Sequence, residues 1–508
     1  KLFFYDLNLK ANYELSDKDR LYVSGYFGRD VLGLSELFGI NWGNATATLR
    51  WNHLVNEKMF VNTSLVYSDF NYGVDINFAE NASFGLDQSI NDVYIKSDWT
   101  NFINQKSKLN FGGQVIYHRF NPGLFAPNNE ESALIFQETQ LEKRKALESG
   151  WYIDHEYKHS TRLNFRYGLR LSTFSNIGGS EYTYTKSQET FEPIDALTDT
   201  ALYGKNEFYN TYWGLEPRAS VSYNLNATTA IKGSYNRTFQ YVQQATNTAS
   251  AFPTDQWFSV NENVKPQRAD QVAVGLFKNF DIGLETSAEV YYKWMDNQID
   301  YRDNAALAFN EQLDGELLTG DGWAYGAEFY VAKTEGKSSG FVSYTWAKTM
   351  RQIDGISGNN PYVAGFDRRH NLSVVFTQKF SKRLLATAAF VFASGQPLTT
   401  PVSKYFYNGE WQSNYNDQER NNFRLPAYHR ADIGVTLKSK EKPDKRFKSN
   451  WNFSIYNLYN RENPYAIYFR EIGDTDLKKF PNAKVGDTAA FQTTLFKIIP
   501  AITWNFEF

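Results

Sequence analysis

The sequence of 508 residues predicts an all-β fold, a transmembrane antiparallel β-barrel. Three observations carry that reading. Apolar and polar residues alternate in segment after segment, aromatics make up 17% of an otherwise polar chain, and short polar turns take turns with long loops.

Alternation with period two sends successive side chains to opposite faces of a strand. Between 162 and 172, Leu163, Phe165, Tyr167, Leu169 and Leu171 share one face, while Arg162, Asn164, Arg166, Gly168, Arg170 and Ser172 share the other. Arginine is costly against lipid, so that second face must look into a wet lumen. Between 44 and 52, Ala45, Ala47, Leu49 and Trp51 oppose Asn44, Thr46, Thr48, Arg50 and Asn52. Between 287 and 294, Ala288, Val290, Tyr292 and Trp294 oppose Ser287, Glu289, Tyr291 and Lys293. At the C-terminus Phe496, Ile498, Ile502, Trp504, Phe506 and Phe508 fall on one face, with Pro500 in the same series. A last strand of this kind ending on Phe508 resembles the signal read by the outer-membrane assembly machinery.

The mean hydropathy is -0.54. No stretch approaches the roughly 18 to 20 apolar residues of a membrane-spanning helix. Yet the chain holds Tyr 34, Phe 40 and Trp 12. Barrels need few apolar residues per strand, and they ring both interfaces with aromatics. The absence of cysteine excludes a disulfide framework and thiolate metal sites. A net charge of -3 offers no basic footprint for nucleic acid. Lys1-Leu2-Phe3-Phe4-Tyr5 lead straight into an alternating segment rather than a signal peptide, which predicts a mature or cut N-terminus.

Short polar turns are expected near 16–19, 56–58, 104–106, 158–160, 226–227, 279–281, 336–338, 380–382 and 440–443. Long loops are expected near 72–88, 121–134, 175–206, 242–267, 300–320, 351–366, 396–424 and 464–490. Short turns on the periplasmic side and long loops outside the cell are the outer-membrane arrangement. The pattern gives about 19 strands, the first and last both running toward the periplasm. Even strand numbers and antiparallel closure then call for an odd number of further strands before Lys1. Residues 1–508 are therefore expected to form one barrel domain, N-terminally incomplete.

Several motifs add to this. Pro253-Thr254-Asp255-Gln256-Trp257 precedes Val264-Lys265-Pro266-Gln267-Arg268-Ala269-Asp270-Gln271. Phe366-Asp367-Arg368-Arg369-His370-Asn371-Leu372 and Ser394-Gly395-Gln396-Pro397 follow. Arg424-Leu425-Pro426-Ala427-Tyr428-His429-Arg430-Ala431-Asp432 and Tyr456-Asn457-Leu458-Tyr459-Asn460-Arg461-Glu462-Asn463-Pro464 complete the series. In this order they resemble the C-terminal barrel of TonB-dependent receptors, nearest the kind with a carboxypeptidase-like domain ahead of the plug. The resemblance spans essentially the whole chain. It implies a barrel of about 22 strands with a plugged lumen and a TonB box ahead of the plug. It also implies capture of an outside nutrient (siderophore, cobalamin, glycan or peptide) and import driven through TonB. Neither plug nor TonB box appears here, so no plug residue can be named. The implied partners are outer-membrane lipid and the TonB complex, with a surface lipoprotein or other barrel subunits as further candidates and no nucleic acid. A second reading makes the chain a receptor-like barrel that scaffolds a larger outer-membrane or secretion assembly. The motif residues Asp367, Arg368, Arg369, Pro397, Pro426 and Asn457 are expected to be structural: rim or lumen charge pairs at a strand start, and prolines bracketing a rim loop.

His155-Glu156-Tyr157-Lys158-His159 matches the zincin pattern, which needs a helix to bring both imidazoles to one metal. In a strand, histidines four apart sit roughly 13 Å apart, with the glutamate on the other face. No nucleophile motif accompanies any histidine, so no catalytic activity, cofactor or metal is expected. The acidic stretches 416–419 and 473–476 read as solvated loops rather than calcium sites. Loop aromatics are the better ligand candidates, because they stack on sugar or aryl rings at little entropic cost. They fall in two groups: Phe252, Trp257 and Phe258 with Asp255, and Tyr405, Phe406, Tyr407 and Trp411. Loop packing and interface girdles use the same residue types.

Overall fold

The structure, a computed structural model, describes residues 2–34, 38–79, 82–179, 182–186, 197–246, 256–303, 305, 307, 310–407, 410–415, 418–440 and 448–507. Nineteen long strands form the wall. They are β1 (Leu2–Ser16), β2 (Asp19–Leu34), β3 (Phe38–Asn56), β4 (Met59–Ala79), β5 (Ala82–Asn104), β6 (Ser107–Pro127) and β7 (Arg144–Lys158). β8 (Leu163–Ile177), β9 (Phe208–Asn224), β10 (Thr229–Gln240), β11 (Gln267–Phe280), β12 (Leu284–Tyr301) and β13 (Leu317–Lys333) follow. The wall ends with β14 (Ser338–Gln352), β15 (His370–Lys379), β16 (Leu384–Ala393), β17 (Tyr428–Lys438), β18 (Lys448–Tyr456) and β19 (Ile499–Glu507). Each pairs antiparallel with the next in a single sheet. β1 and β19 are its edges and run in the same direction.

The outer face is the apolar series of the sequence. Leu49, Trp51, Tyr167, Leu169, Val274, Val290, Ile502 and Trp504 all stand exposed on it. The opposite face carries paired charges. Arg166 Nε reaches Asp154 at 2.8 Å, and Arg170 Nε reaches Glu216 at 3.5 Å. No helix of the described residues is long and apolar enough to cross a membrane.

The expected short turns are found, except that the one near 440–443 lies outside the described residues beyond 440; of the expected long loops, that near 72–88 is almost all strand and that near 121–134 is strand in its first half. β4 runs on to Ala79, β5 starts at Ala82 and β6 reaches Pro127. The cause is a change of face. Lower in β4 and β5, the apolar residues Leu65, Tyr67, Val93 and Ile95 point outward. Higher up, without a break in their mutual register, Val74, Ile76, Phe84 and Leu86 occupy the other face and are buried. Above the membrane the outside is water and the inside is packed with loops, so the apolar side inverts. Four of the remaining loops carry hairpins of their own: Tyr182–Lys186 with Leu197–Leu202, Val242–Ala245 with Gln256–Ser259, Pro401–Tyr407 with Glu410–Tyr415, and Ala466–Glu471 with Thr488–Thr493. The hairpin of Val242–Ala245 with Gln256–Ser259 turns inward, where Ala245 and Phe258 join the buried core. One apolar cluster joins Val74, Phe84, Leu86 and Phe125 of β4–β6 to Phe258, Val264, Ile299 and Leu313 from the far side of the chain.

Candidate ligand site in the barrel mouth

Below this roof the lumen faces of β11–β14 enclose a cavity of about 760 Å³. Strand parity decides which residues reach it. Val290, Tyr292 and Trp294 face out, so Tyr291 and Lys293 face in, beside Gln271 of β11 and Glu328 of β13. Trp257, Phe366 and Gln396 enter from loops. Six glutamines line the space: Gln240, Gln244, Gln267, Gln271, Gln298 and Gln396. Several amides hold one another. Gln298 Nε2 donates to Gln267 Oε1 at 3.1 Å, Gln267 Nε2 donates to Gln243 Oε1 at 2.7 Å, and Gln243 Nε2 donates to the Lys265 carbonyl at 2.7 Å. A carboxamide offers both a donor and acceptors, so the lining can match hydroxyl or amide groups in either sense.

Trp257 and Phe258 are neighbours on one hairpin strand and therefore point apart. Trp257 borders the cavity. Phe258 is buried in the roof, edge-on to Tyr301 with ring centroids 6.4 Å apart. Trp257→Ala is expected to weaken a stacked ligand by about 0.5–1.5 kcal/mol, roughly two- to twelvefold in Kd. Titration calorimetry on the wild type and the variant reads that change.

One wall of the cavity is fixed by a buried ionic knot. Arg420, from the loop before β17, donates Nη2 to Asp300 Oδ1 at 2.8 Å and to the Tyr301 carbonyl at 2.9 Å, and Nη1 to Asp303 Oδ1 at 3.0 Å. Asp300 Oδ2 also accepts from Arg351 at 3.4 Å and from the Tyr362 hydroxyl at 3.0 Å. Burial would lower the Arg420 guanidinium, but the Asp300 charge outweighs it and raises it further. Burial, then the Asp300 charge, push the Tyr362 phenol well above its usual range, which keeps it a donor. Arg144 Nη2 and Asn261 Nδ2 anchor a second loop on Asp314 Oδ2 at 2.8 and 2.7 Å.

The structure brings the other expected residues elsewhere. Tyr405 and Phe406 are exposed on the 401–415 hairpin, away from the cavity, with Trp411 opposite Phe406 in register. Lys404 Nζ ties that hairpin to the Gly486 carbonyl at 3.2 Å. Of Tyr407 and Trp411 only the backbone is described, while Phe252, Asp255 and Phe508 lie outside the described residues.

The motif residues are joints. Asp367 is buried, accepts the Thr349 N–H at 2.7 Å, and binds Arg424 Nη2 at 2.5 Å, with Arg369 at 3.8 Å. Arg368 Nη1 donates to the Ser394 carbonyl at 3.3 Å. Pro397 sits opposite Arg424 in a two-residue ladder, and Pro426 follows it on the way to β17. A Cβ at Gly395 would collide with the Leu425 carbonyl, so that position must be glycine. Asn457 holds a positive φ of 55° and is locked by its side-chain bonds with Arg461 N and O at 3.0 and 2.9 Å.

His155 and Glu156 point to opposite faces. The imidazole bonds Ser107 Oγ at 2.6 Å and Tyr167 OH at 2.8 Å, while the carboxylate meets Lys108 Nζ at 2.9 Å. Asp476 is taken up by Arg470, at 2.7 and 3.0 Å, and by the Gly473 N–H.

A lipid-facing wall of long strands, short turns at one end and a loop-roofed lumen at the other define an outer-membrane-type receptor barrel. The family model described as "TonB dependent receptor-like, beta-barrel" matches residues 3–460, and the chain belongs to that family. No curated protein sequence matches the chain. Among solved structures it is similar to the ferric yersiniabactin uptake receptor FyuA from Yersinia pestis, with a TM-score of 0.64 and 11% identity over 99% of this chain and 70% of that one. It is similar to BauA, the ferric preacinetobactin receptor from Acinetobacter baumannii, with a TM-score of 0.62 and 11% identity over 99% of this chain and 72% of that one. The copper transporter OprC gives a TM-score of 0.62 and 11% identity over 99% of this chain and 71% of that one. At these identities the likeness is one of fold.

Proposed function

We propose that this barrel belongs to a receptor of the bacterial outer membrane that binds a bulky nutrient at the mouth cavity and imports it with energy transmitted by TonB. The carrying observation is the cavity itself. It lies on the path through the lumen, its amides are held in place by one another, and Trp257 and Tyr291 offer rings beside them. The neighbours named above are receptors for ferric siderophores and a copper transporter. The lining of this cavity suits a different cargo. Six carboxamides with a few charges of both signs, Lys293 and Arg351 against Glu328 and Asp300, favour a solute rich in hydroxyl or amide groups, a glycan or a peptide. No catalytic role is assigned. TonB would act through the plug and TonB box that the family carries ahead of the barrel.

The test uses the full receptor. Calorimetry against panels of oligosaccharides and oligopeptides should find a ligand whose uptake by cells disappears on deleting either this receptor or TonB. Recovery in fixed stoichiometry with other barrel proteins, together with unchanged growth of the deletion strain on every limiting nutrient tried, would instead support the scaffold reading and sink import.

A further inference from the structure

The lipid-facing side of β5–β8 carries a feature that a plain barrel wall does not need: a groove of about 610 Å³. Its floor is Gly113, and Trp151 of β7 lies across that glycine so closely that a Cβ there would meet the indole ring. One rim is Trp99 stacked on Phe111, centroids 5.9 Å apart with 12° between the planes. Ile153 and Leu169 continue the apolar lining. An ordinary interface tryptophan offers its N–H to headgroups or water. Trp99 instead donates along its own strand to Ser97 Oγ at 3.0 Å, while Ser97 Oγ also meets Thr63 Oγ1 at 3.1 Å. The Trp99 N–H and the Ser97 hydroxyl are thus satisfied within the protein, and the groove's surface toward the bilayer is mostly hydrocarbon and ring.

At the periplasmic end of the same four strands lie two turns. Residues 104–107 read Asn-Gln-Lys-Ser, and residues 158–162 read Lys-His-Ser-Thr-Arg, three cations and no carboxylate. The turns are joined, since the Lys158 N–H donates to the Lys106 carbonyl at 2.8 Å. Lys106, Lys158 and Arg162 are exposed, and no ion pair engages their side chains among the described residues.

We propose that this surface binds one anionic phospholipid of the periplasmic leaflet, with an acyl chain in the groove and the phosphate at Lys106, Lys158 and Arg162. The occupant follows from position and charge. The groove opens onto the hydrocarbon layer, where an acyl chain gains nothing from leaving water. Selection must come from close packing over Gly113 and from the headgroup, and a basic, acid-free rim favours a phosphodiester that carries net charge.

Native mass spectrometry of the purified full receptor in mild detergent tests this, with dipalmitoyl phosphatidylglycerol as the probe. The wild type should retain one lipid and should not retain the dihexanoyl form, whose chains are too short to fill the groove. Replacing the cations by Lys106→Gln, Lys158→Gln and Arg162→Gln should lower retention about fivefold for each charge removed. These positions are exposed turn residues, so the fold should tolerate the changes. Ile153→Trp, which fills the groove from an exposed site, should also displace the long-chain lipid. Wild-type retention in either variant, or equal retention of both chain lengths, overturns the proposal.

Discussion

Arg420→Ala is expected to release the 396–424 loop from the barrel wall, at a cost of about 3–5 kcal/mol. Two things set that magnitude. The guanidinium makes three short bonds, to Asp300, to Asp303 and to the Tyr301 carbonyl. Its removal also leaves Asp300, 4% exposed, with Arg351 at 3.4 Å as the one remaining cation paired with it among the described residues. An uncompensated buried carboxylate is costlier than the loss of the pair as such. The loss should be local, because β12 keeps its ladders to β11 and β13 below. Hydrogen exchange should therefore rise over 418–424 and around Tyr362, while the wall strands keep wild-type protection. Asp300→Asn with Arg420→Ala together should recover part of the cost, since no bare charge then remains. Unchanged exchange over 418–424 in Arg420→Ala would show that apolar packing, not the ionic knot, holds the loop. Ligand affinity should fall in the same variant, because Asp300 and Arg351 line the cavity that the loop helps to shape.

The wall was legible in the sequence because a lipid-facing strand has one simple demand, an apolar residue at every second position. Arg162 to Ser172 met it and folded accordingly. The upper strands were not legible in the same way. Tyr72, Val74 and Ile76 alternate too, but with the apolar phase reversed, so a stretch that is strand to Ala79 looked like loop. The motif residues were expected to be structural; Asp367 and Asn457 spend their polar atoms on neighbouring backbone and arginine. The cavity was legible only in part. Trp257 borders it and Phe258 does not, a distinction that needs the hairpin register of Gln244 with Trp257. The glutamines come from 240 to 396 and share no local spacing, and Arg420 meets Asp300 across 120 positions. Such pairs become visible only when the sheet brings distant strands and loops to one end.

Val290→Arg is the second large effect, and it tests the orientation on which everything else rests. Val290 is 56% exposed on the outer face of β12, flanked in register by Val274 and Ala327. If that face meets hydrocarbon near the bilayer midplane, arginine there should cost about 2–4 kcal/mol of folding stability. Two controls separate lipid from water. Phe280→Arg, at the periplasmic end of β11, should cost only about 0–1 kcal/mol, because its charge reaches the interface. Ser287→Arg, on the lumen face of the same strand as Val290, should be nearly neutral, because the lumen is wet and already holds Glu289 beside it. Urea-driven unfolding of the full receptor from phospholipid vesicles gives all three numbers on one scale. Equal costs at Val290 and Ser287 would mean that the two faces do not differ in solvent, and the apolar series would then be an ordinary exposed sheet. A large cost at Val290 alone fixes the inner face as the lumen, and with it the side from which Tyr291 and Lys293 of the same strand meet a ligand.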